Sequence, residues 1–254
     1  MTHPIACMLF VALGSGCGRM LVPLDSPAVI ASAVAALDRT AADRALDAGR
    51  HPAEMLAFFG VGAGMRVAEL GAGGGYTSEL LARVVGPTGA VFGQNNRLVL
   101  SRFAEQPWSE RLTKSVMRNV VRVDREFDDP LPPEAHDLDA VIIVLFYHDT
   151  VWQGTDRARM NAAVFRALRP GGVYGIVDHS ARRGAGTTES QTLHRIEESV
   201  VRDEIAAAGF QLVAAADFLR NPDDPRDWND SPTAASTRRG TSDRFVLRFI
   251  KPTN

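Results

Sequence analysis

A glycine-rich turn between an apolar run and a helix-like run limits the folds open to this 254-residue chain more than any other segment. The apolar run Met65–Leu70 leads into the turn GAGGGY at residues 71–76, and Thr77–Val85 then has apolar residues at helical spacing. Such a turn is typical of the ligand-binding edge of a parallel α/β sheet, because glycine lets a ligand approach the backbone closely. The last position of the turn is Tyr76 rather than Gly or Ala, which disfavours a dinucleotide site.

Strand-like and helix-like runs alternate along the rest of the chain. Further strands are predicted over residues 90–93, 120–123, 140–146, 173–177, 211–215 and 244–250. Helices are predicted over residues 28–37, 41–48, 98–108, 156–168 and 189–208. This alternation predicts a doubly wound α/β sheet with an N-terminal helical extension. The polar stretch over residues 220–242 is longer than most connections, so we expect it to be either disordered or a lid over a site.

Glu69, two positions before Gly71, together with Gly73 and Gly75 resembles the first motif of class I S-adenosylmethionine-dependent methyltransferases. The segment LRPGG at residues 168–172 is similar to one that precedes the fifth strand of that family. This resemblance covers about residues 50–250. It implies a Rossmann-like seven-stranded sheet, ending in a reversed hairpin, within a single methyltransferase-like domain over residues 26–254. It also implies S-adenosylmethionine as the cofactor, with the glycine turn around its methionine end and Glu69 beside its ammonium group.

The end of the second strand departs from this family. Its members usually have Asp or Glu there to bind the ribose hydroxyls, whereas this chain has Gln94-Asn95-Asn96. Amide oxygens accept hydrogen bonds from hydroxyls more weakly than carboxylates do, so the segment is interpreted either as the ribose contact or as an ordinary polar loop. The predicted cofactor-binding residues are Glu69, Gly71, Gly73, Gly75, Tyr76, Gln94, Asn95 and Asn96.

A narrower resemblance is to a subgroup of predicted bacterial methyltransferases that often have export signals. The segments that carry it are Gln94–Asn96, Tyr147–Thr150, Asp178–Ser180, Leu193–Ile196 and Thr241–Phe245. This second resemblance implies the same fold and cofactor, but it implies no particular methyl acceptor.

Three histidines, two that follow predicted strands and one near the start of the next predicted helix, are candidates for a general base. Methyl transfer often requires removal of a proton from the acceptor, and histidine suits this role near neutral pH. His148 follows the fourth strand, His179 follows the fifth, and His194 is predicted near the start of the next helix. We predict His148 or His179 as the base, with a neighbouring carboxylate to position it. The predicted catalytic residues are His148, His179, Asp149, Asp178, Tyr147 and His194.

The same group contains side chains that bind metals. His148, Asp149, His179 and His194 could hold a divalent ion, as catechol-type methyltransferases use one to orient an oxygen acceptor. Their spacing along the chain matches no recognised metal-site pattern. The sequence therefore predicts a site without a metal, with a metal site as the minor alternative.

Charge and motif content favour a small-molecule acceptor over a nucleic acid. The chain has 28 basic and 30 acidic residues and a net charge of -2, without the basic surplus of a general nucleic-acid-binding protein. The Asn/Asp-Pro-Pro-aromatic motif of amino-methylating DNA enzymes is absent, and residues 146–149 read FYHD instead. The alternatives are a ligand-binding protein that has kept the fold without catalysis, and a dinucleotide-dependent oxidoreductase. The oligomeric state stays open.

The N-terminus resembles a bacterial lipoprotein signal. An apolar run at residues 5–13, too short to span a bilayer, is followed by Gly14-Ser15-Gly16-Cys17. We predict an exported cell-envelope lipoprotein anchored to the membrane through a lipidated Cys17, with residues 1–25 outside the fold. The alternative is a cytoplasmic protein that starts near Met20. Because Cys7 and Cys17 are the only cysteines, we expect no disulfide or thiolate metal site in the rest of the chain.

Overall fold

Two neighbouring strands, β1 (Arg66–Leu70) and β4 (Leu138–Val144), lie near the centre of a seven-stranded sheet in the computed structural model, which describes residues 26–253. The other strands are β2 (Ala90–Asn95), β3 (Val120–Asp124), β5 (Leu168–His179), β6 (Gln211–Ala216) and β7 (Arg244–Ile250). Their order across the sheet is β3-β2-β1-β4-β5-β7-β6, and β7 is antiparallel to both of its neighbours. The predicted seven-stranded α/β sheet with a reversed hairpin is therefore confirmed.

Helices cover both faces of this sheet. They are α1 (Ser26–Val34), α2 (Ala41–Arg50), α3 (Pro52–Phe59), α4 (Tyr76–Val85), α5 (Arg97–Val99), α6 (Glu105–Leu112), α7 (Tyr147–Trp152), α8 (Arg157–Ala167) and α9 (Glu198–Ala207). A π-helical turn at Leu100–Ala104 joins α5 to α6. Phe59 and Trp108 belong to the core on one face, while Met160 and Ile205 belong to the core on the other. The two cores give the layered arrangement expected of a doubly wound fold.

The parallel register brings the ends of the central strands to one edge of the sheet. Leu70 at the end of β1 is paired with Gln94 of β2 on one side and with Ile143 of β4 on the other. β5 continues beside β4, with Val144 opposite Val177. The glycine turn and the segments that follow β4 and β5 therefore lie next to one another, as the sequence predicts.

The N-terminal helices are tied to this edge by ion pairs. Arg111 lies 2.8 Å from Asp43 of α2, and Arg39 lies 2.7 Å from Asp47 of the same helix. The hydroxyl of Tyr76, at the start of α4, also donates to Asp47 at 2.6 Å. These contacts hold the predicted helical extension against the glycine turn.

The predicted helix over residues 189–208 is wrong in its first half, because α9 begins only at Glu198. His194 has a left-handed backbone with a φ of 54°. The next residue, Arg195, is fully buried and forms an ion pair with Asp224 at 2.7 Å. A contact with a distant part of the chain thus outweighs the local helical pattern, which is a weak determinant by comparison.

Two strand ends also differ from the prediction. β4 ends at Val144, and α7 begins three residues later at Tyr147. β5 begins at Leu168, so the LRPGG segment belongs to the strand and does not simply end the preceding helix. His148 and Asp149 consequently lie in the first turn of a short helix.

The long stretch over residues 220–242 folds across the edge of the sheet. Asp224 accepts hydrogen bonds from the backbone N–H of Asp243 at 2.7 Å and from the indole N–H of Trp228 at 2.8 Å. Asp230 and Arg239 of the same stretch reach the cavity described below. These contacts favour the lid interpretation over the disordered one.

The predicted export signal over residues 1–25, including Cys7 and Cys17, lies outside the described residues. Within residues 26–253, no helix combines the length and the apolar character needed to cross a bilayer.

Removal of the Phe59 side chain should lower the free energy of unfolding by about 3–5 kcal/mol, as is usual for a buried phenylalanine. Phe59 is 1% exposed and packs on Gly175 of β5, where an added Cβ would lie 2.8 Å from the ring. Urea denaturation of Phe59→Ala measures the change. The matched control is Leu37→Ala, because Leu37 is 95% exposed and its loss should cost less than about 0.5 kcal/mol. Equal effects of the two substitutions would contradict the assigned core.

Candidate active site

A cavity of about 670 Å³ lies at the carboxyl edge of the sheet, between α2, the glycine turn and the stretch over residues 220–242. Seven of the predicted site residues line it: Glu69, Gly71, Gly73, Tyr76, His148, His179 and His194. Its volume falls within the roughly 300–1,000 Å³ that small-molecule sites occupy. The predicted cofactor loop and the predicted histidines therefore face one common space.

Three glycines of the turn, Gly71, Gly73 and Gly75, have a positive φ, and their surroundings differ. A Cβ added at Gly71 would lie 2.5 Å from the Phe146 ring, and one at Gly75 would lie 2.4 Å from the Trp108 ring. A Cβ at Gly73 would meet no atom within 4 Å. Gly71 and Gly75 are thus required by packing, whereas Gly73 borders the open space of the cavity.

Gln94 and Asn95 at the end of β2, and Asn96 after it, do not line the cavity, and their role as ribose ligands stays a prediction. The Gln94 side-chain oxygen accepts the backbone N–H of Gly71 at 3.1 Å, and that of Asn95 accepts the backbone N–H of Gly73 at 2.8 Å. Asn96 is equally occupied, because it caps α5. These side chains brace the glycine turn, and their buried oxygens already have donors.

Glu69, at the end of β1, is a buried carboxylic acid that borders the cavity. It is 3% exposed, and the Ser78 hydroxyl donates a hydrogen bond to it. Burial raises the pKa of Glu69 to about 7, against the opposing effect of hydrogen bonds from Ser78 and Thr77. The group therefore changes its charge within the physiological pH range.

Three arginines give the cavity an excess of positive charge. Arg50, Arg239 and Arg244 line it, and among the described residues none of them forms an ion pair with a carboxylate. The guanidinium of Arg50 lies over the Tyr76 ring at 4.5 Å, and Arg244 donates to the backbone carbonyl of Gly49 at 2.6 Å. A low-dielectric wall with unpaired cations favours anionic ligands.

His148 is held by carboxylates on both of its ring nitrogens. Its Nδ1 lies 2.7 Å from Asp178, and its Nε2 lies 3.1 Å from Asp149. Burial alone would lower the pKa of His148, but these two carboxylates outweigh burial and raise it to about 10. The two carboxylates therefore favour the protonated form of the ring.

His194 completes a compact cluster with these residues. Its Nδ1 lies 3.2 Å from His148 Nε2 and 3.2 Å from Asp149 Oδ1. Asp149 Oδ1 also accepts the indole N–H of Trp152 at 2.7 Å. The sequence predicts that these residues share one edge, and the structure brings their polar atoms into mutual contact.

His179 has different partners. Its Nδ1 lies 2.5 Å from Asp230 Oδ2 and 2.9 Å from the Ser242 hydroxyl. Burial lowers the pKa of His179, against the opposing influence of the Asp230 carboxylate. Sequence reasoning missed Asp230 and Ser242, although Ser242 belongs to one of the segments that carried the subgroup resemblance and Asp230 lies in the predicted lid.

Three of the predicted catalytic residues, Tyr147, Asp149 and Asp178, do not line the cavity. Tyr147 is fully buried, and its hydroxyl donates to Glu204 at 2.8 Å and accepts from Asn161 at 2.9 Å. These hydrogen bonds link α7 to α8 and α9, and the catalytic role of Tyr147 stays a prediction. Asp178 is also fully buried and acts through His148 as a positioning residue.

Comparison with known proteins gives a family match to the first part of the fold. The model of the PCMT family, protein-L-isoaspartate(D-aspartate) O-methyltransferase, matches residues 35–123, about a third of the 254-residue chain. The matched segment contains α2, α3, the glycine turn and β1 to β3, and it ends before all the residues of the histidine cluster.

Solved structures match most of the chain at low identity. A methyltransferase from Aquifex aeolicus is 17% identical with a TM-score of 0.59, over 89% of this chain and 98% of its own. A predicted methyltransferase from Haloferax volcanii, solved with the Trm112 methyltransferase activator, is 20% identical with a TM-score of 0.59, over 84% and 94%. The [4+2]-cyclase SpnF is 17% identical with a TM-score of 0.54, over 84% and 82%.

These likenesses establish the fold as that of class I S-adenosylmethionine-dependent methyltransferases. With the family match, they support an S-adenosylmethionine-dependent methyltransferase and S-adenosylmethionine as its cofactor. The likeness to a cyclase illustrates that this fold hosts other reactions, so the reaction has to be argued from the site.

Gly73→Ala should fold and yet lose affinity for S-adenosylmethionine. The new methyl group meets no protein atom, so the expected loss of stability is the left-handed backbone cost of about 1–2 kcal/mol. The matched variant Gly75→Ala adds a clash with Trp108, which should cost about 1–3 kcal/mol more. Thermal unfolding and calorimetric titration of S-adenosylmethionine measure the two effects. Unchanged cofactor affinity in Gly73→Ala would refute the assignment of the glycine turn to the cofactor.

Proposed function

We propose that this protein transfers the methyl group of S-adenosylmethionine to a small anionic acceptor, with His179 as the general base. One observation carries the proposal. A single cavity is bordered on one side by the glycine turn and Glu69, and on the other by His179 with its Asp230 partner. Methyl transfer requires that the methyl donor and the acceptor be held in line, with a proton-accepting group beside the acceptor. Residues for both roles lie on two sides of this one cavity.

The residues of the cavity fit S-adenosylmethionine. The open space at Gly73 forms a cradle that a side chain would fill. The carboxylate of Glu69 is suited to the ammonium group of the cofactor, and the unpaired Arg50 is suited to its carboxylate. When bound, S-adenosylmethionine supplies a methyl group on a sulfonium sulfur, and the side chains around it hold and orient the two substrates.

The contacts of the His179 Nδ1 atom support its role as the base. Its Nδ1 faces Asp230 and Ser242, so the Asp230 carboxylate orients the ring and leaves Nε2 as the nitrogen that accepts a proton. This is the orientation logic of a histidine held by a carboxylate. His148 is less suited, because carboxylates face both of its nitrogens.

The acceptor is proposed to carry an anionic group because of the arginines in the wall. Arg239 and Arg244 are free of ion pairs among the described residues and lie on the lid side of the cavity. The matched family is named for O-methyl transfer to an aspartate derivative, which carries a carboxylate, but its match ends before Arg239, Arg244 and His179. The acceptor is therefore proposed from the cavity itself, whose volume suits a small molecule rather than a nucleic acid.

A second candidate function is ligand binding without turnover on the same fold. The observation that favours it is the occupation of the Gln94 and Asn95 oxygens by the glycine turn, where the family usually has a free carboxylate. This candidate predicts affinity for S-adenosylmethionine and no release of S-adenosylhomocysteine with any acceptor. Single-turnover assays with bound cofactor separate the two candidates.

We also propose that the protein is an exported lipoprotein of the bacterial subgroup that it resembles, anchored through Cys17. The support is the apolar run at residues 5–13 followed by small residues and Cys17. The mass of the N-terminal peptide from the membrane fraction distinguishes a lipidated Cys17 from a start at Met1 or near Met20.

Affinity for S-adenosylmethionine should rise as the pH is raised from 6 to about 7.5. Glu69 has a raised pKa of about 7, so it is neutral at the lower pH and gains the charge that pairs with the cofactor ammonium at the higher. Glu69→Gln should weaken binding by about tenfold or more, which corresponds to about 1.4 kcal/mol, and should remove this pH dependence. Calorimetric titrations of S-adenosylmethionine and S-adenosylhomocysteine at each pH measure the affinities, with NAD as the negative control. Glu54→Gln, a change at an exposed helix position, should behave like the wild type.

His179→Gln should reduce methyl transfer by about 100-fold or more and leave cofactor affinity nearly unchanged, because a general base acts only on the acceptor. A screen of anionic small molecules first identifies an active acceptor. The rate of S-adenosylhomocysteine release with that acceptor then measures the loss. Asp230→Asn should reduce turnover in the same direction through the orientation of His179. Full turnover in both variants would sink the assignment of the base.

A further inference from the structure

We propose that His148, Asp149 and His194 form a binding site for a divalent transition-metal ion in the wall of the cavity. The three ligand atoms are His148 Nε2, Asp149 Oδ1 and His194 Nδ1, and they form a nearly equilateral triangle with sides of 3.1, 3.2 and 3.2 Å. They are brought together from α7 and from the loop before α9. The site rests on these atoms alone and is independent of the proposed methyl transfer.

The size of the triangle suits metal coordination. An ion about 2.1 Å from each atom, the usual distance to imidazole nitrogen and carboxylate oxygen, would see neighbouring ligands about 95–100° apart. That value lies between one face of an octahedron and a tetrahedron. Two histidines and one carboxylate on one face leave the remaining positions free for water or substrate.

Hydrogen bonds behind the ligands have the pattern that metal sites use. His148 Nδ1 lies 2.7 Å from the buried carboxylate of Asp178, which directs Nε2 toward the cluster. The indole N–H of Trp152 donates to Asp149 Oδ1 at 2.7 Å. Such outer partners fix the orientation of ligating imidazoles and carboxylates.

The third ligand is held in a strained conformation. His194 has a φ of 54°, which is uncommon for a residue other than glycine. The buried ion pair of Arg195 with Asp224 anchors the following residue. Strain that the surroundings enforce is a feature of functional sites, and here its result is the approach of His194 Nδ1 to His148 Nε2.

The donor set selects the class of ion. Two imidazoles and one carboxylate without a thiolate suit Zn²⁺, Fe²⁺ and related first-row ions, whereas Mg²⁺ and Ca²⁺ prefer oxygen ligands. Both imidazoles line the cavity, so the open positions of the ion would border the cavity. If the proposed methyl transfer is right, the acceptor would share this space. An ion there would bind an oxygen of an anionic acceptor and lower the pKa of a bound hydroxyl.

A proton offers the competing explanation of the same geometry. A hydrogen on His148 Nε2 can be donated to Asp149 or to His194 without any ion. Both explanations require the same three residues in the same places, and a direct binding measurement separates them.

Isothermal titration of Zn²⁺ into the untagged, chelator-treated, full-length protein tests the proposal. We expect one ion per chain, and we expect Asp149→Asn and His194→Asn each to weaken binding by at least the roughly 10–100-fold that loss of an outer partner costs. Asn is chosen at position 194 because it tolerates a left-handed backbone. The visible absorption of bound Co²⁺ is a second readout, and it should appear with the wild type and disappear in both variants.

Two control variants make the result specific. His51→Asn is the matched control, since His51 also has a left-handed backbone, with a φ of 46°, and lies outside the cavity wall. The double variant Cys7→Ser with Cys17→Ser removes both thiols. Both controls should bind Zn²⁺ like the wild type.

Three results would overturn the proposal, provided that circular dichroism shows each protein to be folded. They are no stoichiometric binding of Zn²⁺ or Co²⁺ to the wild type, unchanged binding in both Asp149→Asn and His194→Asn, and loss of binding in the cysteine variant. The first result would support the shared proton as the explanation of the cluster.

Discussion

The buried carboxylate of Asp178 organises the edge of the sheet on which the histidine cluster depends. It accepts the backbone N–H groups of His148 at 2.7 Å and of His179 at 2.8 Å, and it faces His148 Nδ1 at 2.7 Å. Asp178 is fully buried, and removing a carboxylate from water costs several kcal/mol. The three N–H groups take the place of the lost water and offset this cost. One side chain therefore links the segments after β4 and β5 and sets the direction of the His148 ring.

The glycine side of the cavity has an equivalent brace in the two amide side chains at the end of β2. Gln94 and Asn95 receive the backbone N–H groups of Gly71 and Gly73, so the turn is held in its shape by the neighbouring strand. A loop that is ordered before binding loses less conformational entropy when a ligand arrives. The residues that replace the usual carboxylate of this family thus serve the loop, while the buried Glu69 remains on the cavity wall.

The sheet was predictable because each strand has a local apolar pattern. The glycine turn was predictable because a glycine-rich segment between a strand and a helix is typical of the ligand-binding edge of a parallel sheet. The positions of His148 and His179 after strands, and of His194 near the next predicted helix, were enough to expect a cluster. The helix over residues 189–208 was wrong because the ion pair of Arg195 with Asp224 joins residues 29 positions apart, and no local pattern contains it. Asp230 was missed for the same reason, since it reaches His179 from a long stretch without periodicity.

The amino-acid order alone determined the class of the fold and the kinds of chemical group at one edge of the sheet, because strand periodicity and strand ends are local properties. Distances between those groups belong to the folded chain. His148 and His194 are 46 residues apart, and a left-handed residue beside a buried arginine brings their ring nitrogens to 3.2 Å. Spacing along the chain therefore matched no metal pattern, while three-dimensional packing brings together the three side chains of the proposed metal site.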